Sequence, residues 1–156
     1  LSTGSFSIPS FPTSLGTLKA VQVSMKFVQT GELRMENASP FPVSGIYQAI
    51  DEFQFKRSDG LSLVTVPMHE GGPASLAAFD GVLDYNGPSS KSVSTDASGL
   101  RQAAAAPDQG WTDKSGSDRV NFDANLFAVH NALGGTLVRS RWNGTFEANI
   151  TIIYIY

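Results

Sequence analysis

Residues 136–156 of this chain read TLVRSRWNGTFEANITIIYIY, and this stretch decides the predicted fold. Asn143 and Gly144 separate two runs rich in β-branched and aromatic residues. Such a dipeptide between two β-rich runs is a strong hairpin signal, because both residues tolerate the positive φ angles of a two-residue turn. The sequence therefore predicts a C-terminal β-hairpin over residues 136–156.

The last part of this predicted hairpin has apolar side chains on both faces. From Phe146 to Tyr156, alternate residues form one apolar face, as expected for a strand. The opposite face begins polar and becomes apolar at Ile153 and Ile155. A strand with two apolar faces needs cover on both, from its own domain or from another chain. Ile153 and Ile155 are therefore candidates for a subunit interface.

Turn signals recur along the rest of the chain at intervals of about ten residues, a spacing typical of an all-β sandwich. We predict an antiparallel β-sandwich, jelly-roll or immunoglobulin-like, with about nine or ten strands. A turn is predicted at residues 29–31 and a loop at 67–73. Residues 44–55 fit both helical and strand periods, and the flanking strands favour a strand. For residues 99–106, a short helical turn and a surface loop both remain open.

Composition excludes several classes of partner. The 156 residues suffice for one domain with a sizeable core. The net charge of −3 argues against nucleic-acid binding, which depends on Lys and Arg neutralising phosphates. We also expect no membrane insertion, because no run approaches the ~18 apolar residues of a membrane helix. The sequence begins at Leu1 rather than Met, which favours a secreted protein after signal-peptide removal.

Residues 1–14 differ in character from the domain predicted over 15–156. Phe6 and Ile8 alternate with serines, and Pro9 and Pro12 follow. Proline cannot donate to a β-ladder, so this arm is predicted to be an edge strand or a free extension. Phe6 and Ile8 are the candidate anchors if the arm adds to the open sheet edge of a neighbour. Pairing within its own domain is the alternative.

Three short stretches carry a resemblance to a known family. Residues 11–18 read FPTSLGTL, residues 74–81 read ASLAAFDG, and the sequence closes on alternating Ile and Tyr at 152–156. Together they resemble the choice-of-anchor E family of bacterial exported and cell-surface domains. The resemblance implies a secreted or surface-held protein and brings no catalytic residues. Pro12 and Thr13 replace an Asp-Pro pair of the family, and no sorting tail follows Tyr156 in this sequence.

No set of residues in the sequence amounts to an active site. His69 and His130 are far apart and lack the spacing of metal ligands, and no nucleophile or phosphate-loop motif is present. We therefore predict no enzyme activity and no cofactor. The remaining candidate is a polar loop with Trp111, a possible sugar platform, and with Asp113 and Asp118, whose oxygens partly match a Ca²⁺ loop.

These observations lead to two expectations from different classes. The first is a secreted structural subunit that polymerises with copies of itself into an extracellular filament or matrix, through strand addition by the arm. The alternative is a monomeric secreted module that binds carbohydrate, such as an extracellular polysaccharide, or Ca²⁺ through the Trp111 loop.

Overall fold

The computed structural model describes residues 2–112, 119–131 and 137–156, and this part of the chain consists almost entirely of β-strands. A single 3₁₀ turn, Thr13–Leu15, lies near the start of the described residues. The eight strands in these ranges are β1 (Ser2–Pro9), β2 (Ala20–Asn37), β3 (Val43–Arg57), β4 (Ser62–Leu76), β5 (Ser90–Ser94), β6 (Ala97–Ala105), β7 (Arg119–Asn131) and β8 (Val138–Ile155).

The strands form two antiparallel sheets that pack face to face. The first sheet has the order β1-β7-β3-β4. In the second sheet β2 is central, with β8 along one side and β5 and β6 end to end along the other. The predicted all-β sandwich is confirmed, with eight strands in the described residues instead of nine or ten.

The predicted C-terminal hairpin is wrong, because β8 runs without interruption through Asn143 and Gly144. Gly144 lies opposite Gly31 of β2. A Cβ atom added to Gly144 would lie 2.6 Å from the carbonyl oxygen of Thr30 and still closer to the Trp142 ring. Both glycines therefore serve close packing around Trp142 in the middle of long strands, and neither makes a turn.

Three other local predictions change for related reasons. The turn predicted at 29–31 lies inside β2, whose pairing with β8 continues through this point. The loop predicted at 67–73 is part of β4, an edge strand, where proline is tolerated because one side of the backbone needs no partner. Residues 99–105 are strand in β6, whereas 44–55 are strand as predicted.

The core lies between the two sheets and is rich in aromatic residues. Phe55 and Phe122 stack with ring centroids 5.2 Å apart, and Phe53 stacks on Phe146 of the facing sheet at 4.5 Å. Trp111 is fully buried beside Phe122. The Phe53–Phe146 contact joins the two sheets, and ring packing of this kind contributes beyond simple area burial.

A buried polar cluster interrupts this apolar interior. The Asp51 carboxylate of β3 is only 2% exposed. It accepts a hydrogen bond of 2.8 Å from Gln29 Nε2 of β2 and lies 3.1 Å from His130 Nε2 of β7. The His130 ring stacks on Trp142, whose Nε1 donates to Thr95 Oγ1 at 2.9 Å. The cluster therefore links four strands, β2 and β8 of one sheet and β3 and β7 of the other.

Candidate subunit interface

The N-terminal strand forms the outer edge of the first sheet. β1 pairs antiparallel with β7, from Ser2 opposite Leu126 to Pro9 opposite Arg119. In this structure the arm therefore pairs as an edge strand within its own chain, which is one of the two alternatives that the sequence left open. Its other side has no neighbouring strand among the described residues.

Phe6 and Ile8 both point from β1 toward the interior. The Phe6 ring stacks on Phe55 at 5.5 Å and on Phe122 at 5.3 Å, yet 38% of Phe6 stays exposed. Ile8 is partly buried against the same core. Both residues thus act as apolar anchors of a strand that is only half covered.

Two further side chains hold the arm through polar contacts. Arg119 donates from Nε to Ser7 Oγ and from Nη2 to the Ser7 carbonyl oxygen, both at 2.7 Å. The Tyr154 hydroxyl of β8 donates to the Pro9 carbonyl oxygen at 3.0 Å. Burial raises the pKa of Tyr154, so this phenol stays a neutral donor through the physiological range.

The chain is fixed again directly after this strand. Phe11 is buried between Tyr154 and Tyr156, and its backbone N–H donates to the Trp111 carbonyl oxygen at 2.8 Å. The predicted arm of residues 1–14 therefore contains two parts. The strand Ser2–Pro9 lies on the edge, and the segment from Phe11 is anchored in the core, with Ser10 as the link.

A groove of about 390 Å³ opens between β1 and β8, where the edges of the two sheets meet. Its apolar walls come from both strands, and we call it the β1–β8 groove. The residues that line it are Phe6, Ile8, Pro9, Ser10, Pro12, Ile150, Ile152 and Tyr154.

Ile153 and Ile155, the other two candidate interface residues, lie elsewhere. They alternate with the groove residues along β8 and therefore face outward from the second sheet, where they are 50% and 37% exposed. The structure thus places Phe6 and Ile8 at the groove and the two isoleucines on an adjacent outer surface.

Sequence reasoning missed Tyr154 and Arg119, for which no sequence signal was available because their roles depend on pairing between distant strands.

Trp111 does not form a surface platform, because its ring is fully buried. The Arg57 guanidinium carbon lies 4.9 Å from the Trp111 ring centroid. Arg57 also donates to Asp59 Oδ2 at 2.6 Å and to Asp108 Oδ1 at 2.7 Å. Trp111 therefore supports the core and the Phe11 anchor. Asp113 and Asp118 of the same candidate loop lie outside the described residues.

The Arg57 ion pairs predict a pH dependence of stability. Hydrogen bonds from Arg57 lower the pKa of Asp59 and of Asp108 below the ordinary value of 3.8. A lowered folded-state pKa stabilises the fold above the unfolded value, and this contribution is lost as the pH falls through the folded value. Both carboxylates are about half exposed, so each contribution is expected to stay below about 1 kcal/mol.

Replacing both carboxylates, in an Asp59→Asn/Asp108→Asn variant, should therefore lower the melting temperature at pH 7 and flatten its decline below about pH 4. Thermal unfolding followed by circular dichroism from pH 2 to 7 measures this. An Asp84→Asn variant, which changes an exposed turn carboxylate, should keep the wild-type profile. An unchanged slope in the double variant would contradict the assignment.

No site for a metal ion emerges from the part of the chain described: these residues contain no group of three or more His, Cys, Asp or Glu side chains suited to one. His69, expected in a loop, lies in strand β4, and His130 belongs to the buried cluster. Within the same ranges, no helix has the length and apolar character needed to cross a membrane.

Comparison of the chain with models of protein families, with curated proteins and with solved structures finds no match. The resemblance to the choice-of-anchor E family therefore stays a prediction. The function has to be argued from the geometry of the arm and of the sheet edges.

Proposed function

We propose that this chain is a secreted structural subunit that assembles with copies of itself into an extracellular filament or matrix by exchange of its N-terminal strand. The observation that carries the proposal is the position of β1, an eight-residue strand at the edge of the first sheet. The side of β1 that faces away from β7 has no neighbouring strand among the described residues. We call the place that β1 occupies beside β7 the seat of β1. β1 of a second copy has the same side chains and can make the same contacts.

The free-energy balance supports such an exchange. The stacking of Phe6, the Arg119 bonds to Ser7 and the Tyr154 bond to Pro9 are all retained when a neighbour supplies the strand. The closed and exchanged forms then differ mainly in the conformation of the link at Ser10 and in the entropy of association. High local concentration of subunits favours the exchanged form by mass action.

The local sequence also favours an extended link. Ile8 and Phe11 each precede a proline, and a residue in that position is biased toward extended conformations. Extended backbone on both sides of Ser10 is compatible with a strand that reaches a neighbouring copy. The donated β1 of one copy and the vacated seat of β1 on the next copy are different surfaces, so the contact is head-to-tail. Repeating this contact builds an open chain of subunits, unless the rotation between successive subunits closes a ring.

A paired-cysteine variant distinguishes the closed and exchanged forms directly. Ser5 and Asp123 lie opposite each other in the β1–β7 pairing, so cysteines at these positions are within reach of a disulfide bond. The natural sequence contains no cysteine, so no other bond competes. Oxidation of assembled Ser5→Cys/Asp123→Cys protein should yield a ladder of covalent multimers on non-reducing gels.

The single variants Ser5→Cys and Asp123→Cys serve as matched controls and should give at most dimers. Oxidising the double variant as a dilute monomer should lock the arm in its own chain and block the formation of open chains of subunits until a reductant is added. Assembled material containing only intramolecular bonds would exclude exchange of β1.

Deletion of residues 1–9 gives a second test. The truncated chain keeps Phe11 and the rest of the core, so we expect it to fold and to form no long polymers. A synthetic peptide of residues 1–9 should bind it and raise its melting temperature. Size-exclusion chromatography with light scattering and negative-stain microscopy measure the assembly state. Polymers of the truncated chain would show that the arm is not the linker.

A further inference from the structure

Strand β8 is long but poorly covered. It spans Val138–Ile155, and none of its residues is fully buried. One side of its backbone pairs with β2 over the whole length, and the other side has no neighbouring strand among the described residues. Its inward side chains Trp142, Phe146 and Ile150 are only partly buried. The second sheet therefore ends on an edge that a further strand would complete.

The other exposed edges carry features that discourage strand addition. β4 contains Pro67 and Pro73, β5 has only five residues, and β6 has nine, half the length of β8. β8 has no proline, pairs with β2 without a bulge, and keeps charged residues off its inward face. Natural proteins normally protect long edges with prolines, bulges or inward charges. The lack of all three indicates an edge that is used for pairing.

We infer that β8 pairs antiparallel with β8 of a second copy, about a two-fold axis at Gly144. The charges of the strand favour this register, because it sets Arg141 opposite Glu147 of the other strand, twice by symmetry. On the inward face it sets Trp142 opposite Phe146, and Val138 opposite Ile150. Aromatic and aliphatic pairs of this kind are among the favourable cross-strand neighbours.

The surroundings of the two charged residues support the same register. Within its own sheet, Arg141 lies opposite Arg34 of β2, whose guanidinium is already paired with Glu32 at 2.6 Å, so Arg141 has no acid directly opposite it. Glu147 lies opposite the apolar Val28. Each of these side chains therefore gains an opposite charge on dimerisation. The pairing would make one continuous sheet across two copies.

This contact is independent of the proposed arm exchange. A two-fold pairing closes on itself and yields dimers, whereas exchange of β1 yields open chains. Both can operate in one protein, because the seat of β1 and the edge of β8 belong to different sheets. In that case β8 pairing would join two filaments of arm-exchanged subunits side by side.

A charge-swap series on the full chain tests the inference. Arg141→Glu sets two acids opposite each other and Glu147→Arg two bases, so each single variant should dimerise at least about tenfold more weakly than wild type. The double variant restores both pairs and should regain wild-type dimerisation. Arg101→Glu, a matched charge change on β6 at the opposite edge, should have no effect.

Dimerisation is measured by sedimentation velocity over a concentration series, with oxidised Ser5→Cys/Asp123→Cys as the background if open chains obscure the dimer. Circular dichroism melting confirms that every variant is folded. Restored dimers in the double variant support the register. A double variant no better than either single one, or a wild type that stays monomeric in the locked background at millimolar concentration, overturns it. Neither result bears on whether β1 exchanges.

Discussion

Replacing Trp111 by alanine is expected to lower the free energy of unfolding by about 3–5 kcal/mol, or the melting temperature by roughly 10 °C. The indole is fully buried and contacts Phe122, Tyr154 and the Arg57 guanidinium. Its removal leaves a cavity between the sheets and exposes the Phe11 anchor to water. Urea or thermal unfolding followed by circular dichroism measures the change.

Two control variants separate volume from other effects. Trp111 Nε1 has no hydrogen-bond partner in the described structure, so Trp111→Phe should lose volume and packing only and cost less than half as much. Phe41 is 73% exposed, and Phe41→Ala should change stability by less than about 0.5 kcal/mol. Equal effects of Trp111→Ala and Phe41→Ala would contradict the buried position of the indole.

Replacing His130 by phenylalanine is expected to cost about 3 kcal/mol of stability. Phenylalanine keeps a ring to stack on Trp142 but removes the nitrogen that faces Asp51. The buried carboxylate then retains the amide of Gln29 as its remaining partner in the described cluster. An incompletely paired charge in the interior is costly because it has lost its hydration without compensation.

A double-variant cycle tests this explanation. Asn in place of Asp51 carries no charge, so the Asp51→Asn/His130→Phe variant should be more stable than His130→Phe alone. The free energy of unfolding of the four proteins, at pH 7, gives the coupling between the two residues. Additive losses would mean that the pair makes no contribution beyond packing.

The sequence was sufficient to predict the class of the fold but not the path of its strands. Alternation of apolar residues in 21–27 and 120–126 correctly indicated strands with one buried face. Asn143–Gly144 misled because its local preference for a turn is overridden by the long pairing of β8 with β2. The glycines at 31 and 144 are explained only by a tryptophan side chain that spans both strands, a tertiary contact absent from any local pattern.

Sequence reasoning identified some residues of the β1–β8 groove and overlooked other features of the sheet edges. Phe6 and Ile8 were recognisable because apolar residues alternate beside prolines in a terminal segment. The free edge of β8 was not recognisable from the sequence. The predicted hairpin would have paired the two halves of residues 136–156 with each other, whereas they form one strand with an unpaired side. The polar neighbours of Trp111 suggested an exposed loop, but its ring is buried against Phe122 and under the Arg57 guanidinium.

The pairing of β2 with β8 also determines when the domain can become stable during synthesis. Asn37 pairs with Val138, and every other pair between these strands is farther apart along the chain. A nascent chain therefore carries its central strand β2 without its main partner until β8 has been synthesised. Such non-local pairing makes folding slow and leaves apolar strands exposed meanwhile. Stable folding must accordingly follow synthesis of β8.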